Sequence, residues 1–168
     1  MSSHPIDLTK AEDRLFKVRK LVFNTYDIAH PQIKGQFRVI TVPLNFIQLT
    51  KKIQPGNVSP NLGTSSQTLV SFTNKGKKLT PTRTVVTPQV VATAKKENLT
   101  RFYENAHEPW NEFILQGNPP LLVRIKTILT RVEWLTEHVN QQGDPVLWAN
   151  TNVSLDVSED TAGESGLE

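Results

Sequence analysis

The sequence predicts an α+β domain, in which an antiparallel β-sheet of about four to six strands packs with one or two helices, the longest at about 119–142. Three observations carry that expectation. The first half of the chain holds runs rich in β-branched and aromatic residues, separated by Pro, Gly and Asn, as strands and turns are. Between Asn118 and Gly143 apolar residues recur three and four apart, as on a helix. A chain of 168 residues with 37% hydrophobic content can also bury one core without disulfides or metal.

Residues 1–13 read as a polar lead-in, with room for a short helical turn at Leu8–Asp13. Arg14–Tyr26 reads as a strand with Phe16, Val18 and Val22 on one face and Leu15, Lys17, Arg19, Leu21 and Phe23 on the other. In Gln36–Leu49, residues Ile40, Val42, Leu44 and Phe46 alternate, and Pro43 marks an edge or a bend. These two runs are expected to pair antiparallel. Gln54–Ser66 is loop by composition. Thr68–Thr73 and a return strand around Arg83–Thr87 then suggest a hairpin with Lys75, Lys77 and Lys78 at its tip.

Thr87-Pro88 is a helix start, Thr as N-cap and Pro in the first turn. A helix to about Asn105 is expected, although Val85, Val86, Val90 and Val91 could instead extend a strand. Leu99, Phe102, Ala106, Trp110 and Phe113 form a stripe for the core, interrupted by Pro109, where a kink or second helix would begin. In the 119–142 helix, Asn118 caps, Pro119 opens the first turn, and Gly143 fits the position after the last turn. Its seam is Leu121, Ile125, Ile128, Val132, Leu135 and Val139, flanked by Arg124, Arg131 and His138. That seam is most simply core, and Leu121, Ile125, Ile128, Val132 and Leu135 would also suit self-association of paired helices. Val146–Val157 reads as a last strand with Ala149, Val153 and Leu155 on one face. The expected organisation is thus a lead-in (1–13), one domain (14–157) and a disordered acidic tail (158–168).

Charge is unevenly distributed. The net charge is +3, yet Asp156, Glu159, Asp160, Glu164 and Glu168 lie in the last 13 residues, leaving 19 basic against 11 acidic residues before them. From Ile28 to Lys96 there is no Asp or Glu, but there are ten cations. That segregation points to a polyanion partner, RNA, DNA or an acidic lipid surface, rather than to solvation alone. The candidate contact residues are Lys17, Arg19, Arg38, Lys51, Lys52, Lys75, Lys77, Lys78 and Arg83. The lysines of the hairpin tip suit phosphate contact and edge protection alike. The acidic tail is either a solvated end or a mask for the basic face.

The motifs of catalysis are missing from the sequence. With no cysteine, thiol nucleophiles, disulfides and thiolate zinc sites are excluded. Gly63-Thr-Ser-Ser lacks the lysine of a phosphate loop, and no Gly-x-Ser-x-Gly elbow occurs. His4, His30, His107 and His138 have no metal-ligand spacing. Glu104, Glu108 and Glu112, and likewise Glu133 and Glu137, step by four residues, as on solvated helix faces. No cofactor and no metal are expected. No signal peptide or membrane-spanning run is visible, so a cytoplasmic, non-secreted protein is expected, and the sequons at Asn57, Asn98 and Asn152 are read as chance matches.

In general plan, with its basic strand pair (Phe16–Phe23 and Phe37–Leu49), lysine-tipped hairpin and late amphipathic helix, the chain resembles small matrix or coat proteins of RNA viruses. The resemblance implies a non-enzymatic structural protein of the virion and host cytoplasm that self-associates and bridges a nucleocapsid to an acidic membrane face. It carries over no functional residue, and proline-rich late-domain motifs are absent. The alternatives are a small nucleic-acid-binding accessory protein, such as a silencing suppressor or regulatory factor, and an enzyme whose site is assembled from scattered residues.

Overall fold

The segment read as the long helix is a strand. In the computed structural model, which describes residues 11–49, 62–83 and 85–160, Leu121–Val139 is a 19-residue β-strand. Eight of its residues are β-branched (Val123, Ile125, Thr127, Ile128, Thr130, Val132, Thr136, Val139), a composition that packs well on a pleated surface and poorly on a helix. Burial alternates over Leu121, Val123, Ile125, Thr127 and Leu129, then changes parity to Val132 and Trp134. The change is a bulge. Arg131 pairs with Asn150 and Leu129 with Thr151, so Thr130 is the extra residue. A period-two strand with one parity change yields apolar steps of four and three, which mimic a helix.

The fold is therefore two antiparallel sheets rather than α+β. Ten strands occur in the described residues: β1 (Ala11–Arg14), β2 (Phe16–Lys20), β3 (Asn24–Ala29), β4 (Lys34–Leu49), β5 (Leu62–Asn74), β6 (Lys96–Asn98), β7 (Tyr103–His107), β8 (Asn111–Leu115), β9 (Leu121–Val139) and β10 (Pro145–Glu159). The first sheet has the order β1-β4-β3-β7 with β5 also on β4, and the second β10-β9-β8-β2 with β6 also on β9. Each is built around one long strand. β4 pairs with β5 along its length and with β3 and β1 at its two ends, while β9 pairs with β10 and shares its remaining pairings between β8 and β6.

Other expected elements shift accordingly. Arg14–Tyr26 is not one strand paired with Gln36–Leu49. Arg14 ends β1, opposite Phe46 of β4; residues 16–20 are β2, in the second sheet beside β8; and β3 pairs with the other end of β4. Among the described residues no hairpin joins 68–73 to 83–87, because β5 pairs with β4 and the chain from Lys75 onward crosses to the second sheet with no strand before Lys96. Part of the expected 54–66 loop is β5. The helix expected from Thr87 to about Asn105 is only α1 (Pro88–Thr93), with Thr87 Oγ1 accepting from the Val90 N–H at 3.2 Å. Beyond Pro109 lies β8, not a helix. Asn118-Pro119 is a cis peptide in the β8–β9 connection. Gly143 does adopt a left-handed φ of 81°, but in the β9–β10 turn, where Asn140 Oδ1 accepts from the N–H groups of Gln142 and Asp144.

The sheets face each other over two apolar clusters. One gathers Tyr26, Ile28, Phe37, Val39, Leu129, Val132 and Trp134, and the other Phe46, Phe113, Leu115, Leu121, Val123 and Ile125. Between the sheets there is also a polar contact. Thr127 Oγ1 donates to Thr41 Oγ1 at 2.8 Å, Thr41 and Thr68 hydroxyls lie 2.9 Å apart, and Asn24 Nδ2 donates to the Thr127 carbonyl at 2.5 Å. Hydroxyls that satisfy one another can be buried at little cost, and they register β4 against β9.

The domain ends also extend past 14 and 157. Residues 11–13 belong to β1, and Ser158 and Glu159 to β10. Asp160, 5% exposed, donates its N–H to the Pro120 carbonyl at 2.9 Å. The lead-in before residue 11 and the tail beyond 160 lie outside the described residues.

Candidate nucleic-acid interface

The outward face of the second sheet carries a field of cations. Phe16 and Phe113 turn inward, where their rings meet edge-on at 6.0 Å, so strand alternation turns Lys17 outward. A register shift between Val18 and Lys20 brings both Arg19 and Lys20 against Glu112. Arg19 Nε lies 3.5 Å from Glu112 Oε1, and its Nη1 is 3.9 Å from Asp160 Oδ1. On β9 the residues between the buried Val123, Ile125 and Thr127 are Arg124 and Lys126, facing out. Arg124 donates through Nε and Nη2 to Asp156 Oδ2 on β10, at 3.2 and 2.9 Å.

Trp110, just before β8, joins this field. The Arg124 guanidinium carbon lies 4.9 Å from its ring centroid and Lys126 Nζ 4.7 Å, both within cation–π range. Past the bulge, Arg131 pairs with Glu133 at 3.2 Å. The face thus presents Lys17, Arg19, Lys20, Arg124, Lys126 and Arg131 against Glu112, Glu133 and Asp156. Among the described residues Lys17, Lys20 and Lys126 have no ion pair.

The cations singled out from sequence do not converge. Lys17 and Arg19 are on this face. Arg38 is on the outward face of the other sheet, its guanidinium 4.2 Å from the Phe23 ring centroid. Lys75 donates its N–H to the Lys34 carbonyl at 2.8 Å, and Lys78 Nζ bonds Asp144 at 2.6 Å in the β9–β10 turn. That turn is roughly 40 Å along β9 from Lys126. Arg83 is exposed in the crossover, and Lys51 and Lys52 lie outside the described residues. The Lys78 ammonium and the Asn74 amide hold Asp144 below the usual carboxylate range.

The proposed self-association seam is not a surface. Leu121, Ile125, Val132 and Leu135 are 6%, 1%, 0% and 0% exposed, inside the sandwich, and only Ile128 is half-exposed on the outer face. Lys126 was missed because a helical reading of 119–142 separates Arg124 from Lys126 by about 200° of helix, and Trp110 because it was read into the core stripe of an expected helix. The alternation Arg124-x-Lys126 is the signal that a strand reading would have used.

Several polar groups elsewhere have structural partners. Tyr26 Oη donates to the Glu108 carboxylate and accepts from the Leu129 N–H at 3.0 Å. Burial raises the phenol pKa of Tyr26 well above its ordinary value, and that of Tyr103 to about 12. His30, 6% exposed, lies with Nε2 2.7 Å from Glu97 Oε2 and packs edge-on against Phe102 and Trp134. A cleft of about 510 Å³ between Phe37, Phe72, Leu147 and Ala149 has Asn140 and Asp144 at its rim, both engaged in the adjoining turn. Among the described residues no group of three His, Asp or Glu could hold a metal, and no helix is long and apolar enough to cross a membrane. Comparison with known protein families, curated proteins and solved structures finds no match for the chain.

Proposed function

We propose that the protein is a non-enzymatic interaction protein that binds single-stranded nucleic acid across the outward face of the β2-β8-β9-β10 sheet. The observation that carries the reading is Trp110 with Arg124 and Lys126 over its ring, set among Lys17, Arg19 and Lys20 on neighbouring strands. A rigid sheet fixes these cations at strand spacing, so phosphates meet a preordered field, while an aromatic ring offers a base a stacking partner. Bridging of a nucleocapsid, as in small matrix proteins, would use the same contact.

The test is fluorescence anisotropy of the full chain with a single-stranded RNA oligonucleotide over a salt series. Affinity should fall linearly in log–log form as counterions are released. Lys17→Ala and Lys126→Ala should each lower the slope by about one, and Trp110→Ala should weaken binding by about 1–3 kcal/mol at all salt concentrations. Lys75→Ala with Lys77→Ala serves as the control and should change little. Binding indifferent to salt, or lost only in the control, would overturn the assignment. Binding to anionic vesicles without binding to RNA would make a membrane surface the polyanion.

A further inference from the structure

β5 is an edge strand of 13 residues, Leu62–Asn74, paired only with β4 among the described residues. Every second residue along its free side presents a main-chain N–H and C=O to solvent. Proteins normally blunt such an edge with charge, proline, a bulge or brevity. β5 has none of these: Leu-Gly-Thr-Ser-Ser-Gln-Thr-Leu-Val-Ser-Phe-Thr-Asn contains no charged residue and no proline. The one register shift in its pairing lies between Pro43 and Asn45, on the β4 side.

The other marginal strands are protected. β1 is four residues long and includes Glu12, Asp13 and Arg14. β2 carries Lys17, Arg19 and Lys20. β6 has three residues, two of them charged. β7 contains Glu104 and is distorted at Asn105, with φ 51°. β10 is long, but it holds Pro145, Asp156 and Glu159. Two copies of β2 would set three cations against three, whereas β5 can meet its own copy without a like-charge contact.

We propose that the chain pairs with a second copy of itself through the outer edge of β5, joining two five-stranded sheets into one antiparallel sheet of ten strands. The pairing is closed and two-fold, as most homo-oligomers are. With the axis near Thr68, Leu62 lies opposite the partner copy's Asn74, and about a dozen main-chain hydrogen bonds form. Leu69, 47% exposed in the single chain, then lies diagonal to the partner copy's Leu69 across the axis and gains an apolar neighbour. Lys75, just past the strand, sits roughly 45 Å from its counterpart, at the opposite end of the pairing, so the cations do not repel. The inference does not rest on the nucleic-acid reading.

Sedimentation velocity over a concentration series tests it. The full chain should reach twice its 18.9 kDa mass, and Leu69→Lys with Ser71→Lys should sediment as a monomer with an unchanged far-UV spectrum. Because the chain has no cysteine, single cysteines placed from Ser66 to Ser71 report independently of that variant. Mild oxidation should give a disulfide-linked dimer with a maximum at the residue on the axis, and Ser154→Cys on β10 should give none. A chain that stays monomeric at every concentration overturns the proposal. So does a dimer that survives the lysine pair and shows no maximum in the cysteine scan.

Discussion

Ile125 and Ile128 separate a strand from a helix over the same residues. On a helix both would lie on one apolar seam and cost a similar amount when truncated. In the strand, Ile125 is 1% exposed within the Phe46–Phe113–Val123 cluster, while Ile128 is half-exposed on the outer face opposite Asn152. Ile125→Ala removes buried methyl groups in a close-packed layer and should cost about 2–5 kcal/mol, transfer and cavity terms together. Ile128→Ala loses only partial burial and some strand propensity, about 1 kcal/mol or less. Urea unfolding at constant slope should give the two midpoints, and thermal unfolding should drop by roughly 10 °C for Ile125→Ala. Equal losses for the two variants would refute the placement of β9.

Two pH dependences follow from groups that the fold holds away from their ordinary pKa. Tyr26 and Tyr103 are raised chiefly by burial, so above roughly pH 10 the unfolded chain releases phenolic protons that the folded chain keeps, and stability should fall as pH rises. The urea midpoint should decline across that range, less steeply in Tyr103→Phe, and a decline identical in that variant would count against Tyr103. Asp144 is held low by Lys78 and then Asn74, so its contribution is present above the ordinary carboxylate value and fades as pH drops through the lower folded one. Asp144→Asn should flatten the acid limb of the stability curve below about pH 4, and an unchanged limb would show that the contact with Lys78 is idle in solution.

What the sequence conveyed about the fold depended on how regular each strand is. β10 was legible because most of Val146–Val157 alternates against one partner, and the Thr87 cap was legible because capping is local. β9 was not, because Thr130 shifts the inward residues from odd to even numbers and so imitates the spacing of a helix. The irregular stretch near Leu135, where Trp134 and Leu135 are both buried, lengthens the imitation. The presence of eight β-branched residues was the opposing signal. It is a propensity worth tenths of a kcal/mol per residue, and the apolar spacing outweighed it. The split of Arg14–Tyr26 between two sheets was likewise invisible, since the link that crosses the sandwich is fixed by a distant partner: Asn111 Oδ1 accepts from the Val22 N–H at 2.6 Å.

The site was legible only in part, and the charge pattern shows why. The acid-free segment from Ile28 to Lys96 contains the whole of β4 and β5, the crossover and α1. Its cations were expected to gather on one surface, yet strand alternation and the crossover distribute them. Arg38 goes to one face, Lys75 and Lys78 to the end of the sandwich, and Lys95 to an ion pair with Glu137 at 3.5 Å. The cationic field instead draws on β2 and β9, which lie outside that segment and come together through β8. The absence of carboxylates has a different consequence in β5. Because the segment's lysines fall before and after that strand rather than within it, neither sign of charge interrupts its edge. The same stretch of sequence that suggested a polyanion thus produces an edge suited to a second copy of the chain.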